Sequence, residues 1–170
     1  MPQNTNTMTN TQTNTDNGFS IEILKQLAFM QYEGESFFIV NDKSYIGEED
    51  AAKESYEAAK EDYESFEDFC SNECDEVGEF NNDDYLVLTD EEADEKWEES
   101  LDSYIEDCIQ PEIDKIAEGQ GNLQYYIKFD EDMWKRDARM DGRGHSLSSY
   151  DGCENEETVV DITFYIYRLN

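Results

Sequence analysis

Carboxylates are the residues whose number and spacing could do chemistry in this chain. The stretch EEDAAKESYEAAKEDYESFEDFCSNECDE (residues 48–76) carries Glu54, Glu57, Glu61, Asp62, Glu64, Glu67 and Asp68 on what its periodicity predicts to be one helix. A second run, TDEEADEKWEESLDSY (89–104), adds Asp94, Glu95, Glu98, Glu99 and Asp102. Like charges three or four residues apart destabilise a helix, so such a surface is either the working part of the molecule or a heavily solvated face. Residues 48–118 hold 29 Asp or Glu against four Lys, a balance of -25 by count. At a helical rise of 1.5 Å per residue, residues 48–68 would span about 31 Å. Their ten acids less two lysines give roughly one net charge per 4 Å, close to the ~3.4 Å spacing of phosphates along a DNA strand. That density suffices to imitate a phosphate backbone.

Two other chemistries compete. CSNEC puts Cys70 and Cys74 at i and i+4, and Cys108, His145 and Cys153 could complete a tetrahedral zinc site. Cys70 and Cys108 also fall on apolar seams, where a thiol is an ordinary core residue. Catalysis has less to build on. His145 is the sole histidine, beside Asp141 and Ser146 in the glycine-rich DGRGH segment. No nucleophile-elbow or phosphate-loop context surrounds it; DGRGH follows no predicted strand and is expected to open no helix. We read it as a tight turn in which His145 satisfies backbone groups. No catalytic residue and no cofactor is assigned.

Several elements must position these groups. Ser20 caps a helix to about Tyr32 with Ile23, Leu24, Leu27 and Met30 on one face. SFFIV follows as a short strand and NDKSYIG as a turn. In the 48–76 helix, Ala52, Tyr56, Ala59, Tyr63, Phe66 and Cys70 form a narrow apolar seam. After an acidic loop around Gly78, YLVL (85–88) is a strand, and Thr89 with Glu92 forms a capping box. The helix it starts runs to about Ile109, with Ala93, Trp97, Leu101, Tyr104, Ile105 and Cys108 inward, until Gln110-Pro111 breaks it. PEIDKIAEG and DEDMWKRDARM are further short helices, and NLQYYIKF leans to helix. A turn over residues 153–157 and then TVVDITFYIYRLN close the chain as a β-hairpin. The fold class is α+β: a small antiparallel sheet of the 85–88 strand and the terminal hairpin, packed with acidic helices. Residues 1–17, a Thr/Asn/Gln tract, form a disordered tail, and 18–170 a single domain. Lys135, Arg136, Arg139 and Arg143 cluster within nine positions and are expected to pair with acids of neighbouring helices.

The whole chain of 170 residues has 44 acidic and 12 basic side chains, a formal charge of -32. Self-repulsion on that scale opposes compactness, but 13% aromatic residues at regular spacings predict a folded chain. A nucleic acid or an anionic membrane would be repelled, so the expected partner is basic. The N-terminus shows no leader of basic then apolar residues, and a cytoplasmic location with reduced thiols is the expectation.

YLVLTDEEADEKW, DGRGHSLSSYDG and the terminal FYIYRLN together resemble a set of small acidic proteins encoded by bacteriophages and prophages, over residues 85–170. That resemblance implies a phage context and no catalytic residues. In design, though not in alignable motif, the charge is similar to that of anti-restriction and anti-CRISPR proteins that mimic DNA. The expectation is an inhibitor without enzymatic activity that lays its acidic helices in the basic nucleic-acid groove of a CRISPR effector nuclease or restriction enzyme. The alternative is a zinc-binding structural or regulatory protein with an incidental acidic surface.

Overall fold

A computed structural model describes residues 18–118 and 128–170. The tail expected over residues 1–17 lies outside them, as does the helix expected over NLQYYIKF apart from Lys128 and Phe129. The α+β class is borne out: helices accompany two small antiparallel sheets. The chain divides into two compact units, Met1–Asn81 and Asn82–Asn170. Among the described residues no helix is long and apolar enough to cross a membrane.

In the first unit, α1 (Ile21–Glu33) starts where the Ser20 hydroxyl accepts the Ile23 N–H and ends at Gly34, which adopts the left-handed conformation of a C-cap (φ 74°). Leu24, Leu27, Ala28 and Met30 are buried. β1 (Phe37–Val40) pairs with β2 (Lys43–Ile46), Phe38 opposite Tyr45. The segment expected to be a turn is therefore mostly strand. Only Asn41 and Asp42 turn the chain, Asn41 with φ 57°, and the fully buried Tyr45 anchors the returning strand.

The single long acidic helix is corrected to two: α2 (Glu49–Ala59) and α3 (Phe66–Glu73). Ser65 caps α3 by accepting the Asp68 N–H, while the Asp68 carboxylate reaches back to the Glu64 N–H. That arrangement resembles a capping box and begins a helix at the point where the sequence pattern continues one. The end of α2 also carries no cation beyond Lys60, while Glu57, Glu61 and Asp62 oppose the negative pole of the helix. The apolar seam survives the break. Tyr56 packs on Phe66 and Phe69, Tyr63 meets Phe69 edge-on, and the group closes over Phe38, Tyr45 and Cys70. These acidic helices thus pack on their own hairpin, where one sheet carrying all of them is expected.

In the second unit, β3 (Tyr85–Leu88) leads into α4 (Asp90–Tyr104) through the expected capping box of Thr89 and Glu92. Pro111 does not break the helix. A π-helical segment, Ile105–Ile109, joins α4 to α5 (Gln110–Glu118) without interruption. The wider π turn accommodates a residue that lacks an N–H and crowds the preceding turn. It also shifts the helical phase, and Cys108, expected inward, is exposed. Tyr104, also expected inward, is 54% exposed. α6 (Glu131–Ala138), a 3-10 turn (Arg139–Asp141) and α7 (Arg143–Leu147) follow. DGRGH therefore does open a helix, with Gly142 as its N-cap at φ 82°. The closing hairpin is β4 (Asn155–Val159) and β5 (Ile162–Arg168), turning at Val160-Asp161 rather than at 153–157; both turn residues have positive φ. The sheet order is β3-β5-β4, with Leu88 opposite Tyr165 and Thr158 opposite Thr163. Leu88, Ala93, Leu147 and Tyr167 form the buried cluster between α4, α7 and the sheet, with Trp97 packed against it.

Candidate acidic interface

The basic cluster decides which carboxylates of α4 remain available. Asp90, Asp94, Glu98 and Asp102 recur every fourth residue, so they form one row along the helix. Lys135, Arg139 and Arg143 recur at the same interval and run past this row in the opposite direction. Arg143 Nη1 lies 2.8 Å from Asp90 and 3.0 Å from Asp94, Arg139 Nη2 lies 2.6 Å from Glu98, and Lys135 pairs with Asp102. The expected internal pairing is thus present for three of the cluster's four cations. Among the described residues Arg136 pairs only with its neighbour Asp137. Lys135 also pairs with Glu131, and hydrogen bonds to Asp102 and Glu131 hold its pKa above the usual lysine value.

Of the candidate partner-binding residues, then, Asp94, Glu98 and Asp102 are engaged inside the second unit. Glu95 and Glu99 belong to a different row with Glu91, and all three are exposed. Sequence reasoning missed Glu91, although its spacing of four from Glu95 is plain in the chain. In the first unit Glu57 pairs with Lys60 at 2.7 Å and Glu49 with Lys53 at 2.6 Å. Asp68 is taken up by the α3 cap and by the Asn72 amide. Glu54, Glu61, Asp62, Glu64 and Glu67 are exposed, and none of them forms an ion pair among the described residues, the neighbouring Lys53 and Lys60 being turned to Glu49 and Glu57.

The three sequence stretches behind the phage resemblance interlock physically. Arg143, its side chain only 12% exposed, joins Asp90 and Asp94 of α4 to Glu154 at 2.9 Å, and lies 4.2 Å above the Tyr165 ring centroid. Burial works against its charge, but hydrogen bonds to Glu154 and Asp90 prevail and raise its pKa. The Tyr167 hydroxyl donates to Glu154; burial first, then this bond, raises its pKa. Gly144 has no room for a side chain, since a Cβ would stand 2.6 Å from the Gly152 carbonyl. The Ser148 hydroxyl donates to Asp151, whose pKa is lowered by that bond and by the Cys153 N–H. Arg168 lies over the Tyr150 ring at 3.8 Å. These residues fasten α4, α7 and the hairpin to one another.

His145, expected to satisfy backbone groups, is exposed on α7 and lines a groove of about 530 Å³ with Tyr104, Trp134, Asp137, Asp141 and Ser146. The Tyr104 and Trp134 rings stack there, with centroids 5.6 Å apart and planes 5° from parallel.

The zinc alternative is not assembled within either unit. Among the described residues no three His, Cys, Asp or Glu side chains gather so as to hold a metal ion. Cys70 is buried in the aromatic cluster, and burial, with Cys74 beside it, pushes its thiol up to about 12. Cys153 is exposed and its thiol faces the Asp151 carbonyl at 3.6 Å. Comparison of the chain with protein-family models, with curated proteins and with solved structures found no match.

Proposed function

We propose that this chain is a phage-encoded inhibitor of a host nucleic-acid-handling defence protein, a CRISPR effector nuclease or a restriction enzyme, acting in the cytoplasm of the infected cell. One observation carries the reading. In the second unit Lys135, Arg139 and Arg143 are committed to pairs with the acids of α4, and exposed carboxylates that make no ion pair among the described residues remain at Glu54, Glu61, Asp62, Glu64 and Glu67 and along Glu91, Glu95 and Glu99. A solvated face needs no such segregation, whereas a phosphate mimic needs carboxylates that its own cations do not neutralise. The phage context rests on the resemblance of residues 85–170. The mechanism is competitive occlusion: carboxylates stand in for phosphates in a basic groove, and the packed aromatics limit the ordering entropy lost on binding. No covalent step is involved.

The test measures cleavage of duplex DNA by a panel of such nucleases with and without the purified chain. Inhibition should be relieved by excess duplex DNA or guide RNA. It should also weaken steeply as salt is raised from about 50 to 200 mM, because the attraction is screened within ~8 Å at physiological ionic strength. Inhibition that is flat in salt and insensitive to nucleic acid would remove the mimicry reading.

A further inference from the structure

The groove of the second unit differs from the acidic faces, because its chemistry is mixed and its aromatic pair is open. Tyr104 is a large apolar side chain left 54% exposed at the last residue of α4, just before the π segment. It is held flat against Trp134 of α6. Asp137 stands one helical turn beyond Trp134, and Asp141 four residues further on. Both carboxylates line the groove and are exposed; Asp137 pairs with Arg136, and Asp141 makes no ion pair among the described residues.

We infer that this groove receives an arginine side chain of the partner protein, the guanidinium stacking on Tyr104–Trp134 and its N–H groups donating to Asp141 and Asp137. Aromatic faces attract cations through the ring quadrupole, and a planar guanidinium stacks on them and presents a fork that a carboxylate accepts in two bonds. Stacking alone would suit a nucleobase as well. The charge decides against one, since a polynucleotide would approach a chain of net charge -32 bringing its own phosphates. An arginine in a basic groove meets the opposite sign. The inference rests on the proposed function for the identity of the partner, and it adds an anchor to it. The acidic helices steer the encounter, and one seated arginine fixes the register.

The probe is the tripeptide acetyl-Gly-Arg-Gly-amide, titrated into the isotope-labelled full chain. The readout is the Trp134 indole N–H resonance, identified by its loss in Trp134→Phe. A saturable shift confined to the groove is expected. The citrulline peptide, which keeps the shape without the charge, should bind about tenfold more weakly, and the lysine peptide severalfold more weakly. Tyr104→Ala and Asp141→Asn should each weaken the arginine peptide by about fivefold or more. Should Tyr104→Ala fail to fold, Asp141→Asn, an exposed and nearly isosteric change, decides alone. Reversing Glu54, Glu61, Glu64 and Glu67 to Lys lies in the other unit and should leave peptide affinity within about twofold while abolishing nuclease inhibition. Retained inhibition in that variant would therefore indict the acidic-face reading and leave the groove standing. Equal binding of arginine and citrulline, shifts spread along the acidic helices without saturation, or no effect of Asp141→Asn would overturn the groove.

Discussion

Arg143 is the side chain on which the second unit depends most. Its fork reaches Asp90, Asp94 and Glu154, and its face covers Tyr165. Removing it leaves three carboxylates facing one another, and Glu154, at 27% exposure, has the least access to water. Breaking a buried pair costs about 3–5 kcal/mol. Because Asp90 and Asp94 stay mostly exposed, Arg143→Met should cost about 2–3 kcal/mol, measured as the shift in urea unfolding. Arg143→Lys should fall between the two, since an ammonium is a point charge and cannot span three acceptors. A methionine variant that unfolds like the parent would mean that water already carries these charges. The sequence showed that the basic cluster would pair with neighbouring helices, because four cations within nine positions stand near a large surplus of acids. It did not show that DGRGH is the fastening itself. That depends on Gly144 lying against the Gly152 backbone, a close approach that no local pattern of residues records.

At the scale of elements, α1, β3 and the Thr89 capping box were legible because each is set by local chemistry, whereas the closing hairpin was expected with its turn at 153–157 rather than at Val160-Asp161. The acidic helix was misread because a periodic pattern continued across a local stop. The 3-4 seam from Ala52 to Cys70 runs through the α2–α3 break, and its aromatics still meet because residues 60–65 return the chain onto the same cluster. The Ser65–Asp68 cap was present in the sequence and outweighs the periodicity. Pro111 erred in the other direction, since a π turn absorbs a proline that an α-helix would not. The α2–α3 cluster also predicts an alkaline weakness. Burial raises the Cys70 thiol from an ordinary 9.0 to about 12, and a hydrogen bond to Glu73 raises the Tyr63 phenol from 10.0 to about 12. Both groups hold their protons more tightly folded than unfolded. Their contribution is therefore complete below pH 9 and lost as pH rises through 9 to 12. Melting temperature should fall over that window, and the near-ultraviolet signal of the aromatic cluster should be lost with it. Tyr63→Phe should flatten the part of the slope between pH 10 and 12. An unchanged slope in that variant would place the weakness elsewhere.

For the whole molecule, the question is how a charge of -32 is divided between stability and recognition. The two rows of α4 make the division testable on one helix. Asp94, Glu98 and Asp102 neutralise cations of the same unit, while Glu91, Glu95 and Glu99 make no ion pair among the described residues and add like charge to one face of the helix. Converting the first set to Asn, Gln and Asn removes the Glu98 partner of Arg139 and one partner each from Lys135, which keeps Glu131, and Arg143, which keeps Asp90 and Glu154. It should lower stability by about 1–3 kcal/mol, three partly exposed pairs at up to ~1 kcal/mol each. Converting Glu91, Glu95 and Glu99 to Gln relieves like-charge pairs and should leave the melting temperature unchanged or slightly raised. Nuclease inhibition should respond in the opposite order. The Glu91, Glu95 and Glu99 variant should lose affinity, mainly through a slower association that converges with the parent's at high salt. The paired set should inhibit nearly as well as the parent at temperatures where it stays folded. If both triple variants lose inhibition equally while folded, the field of the whole helix matters rather than its uncompensated face. If neither does, α4 takes no part in binding, and the acids of α2 and α3 must account for inhibition without it.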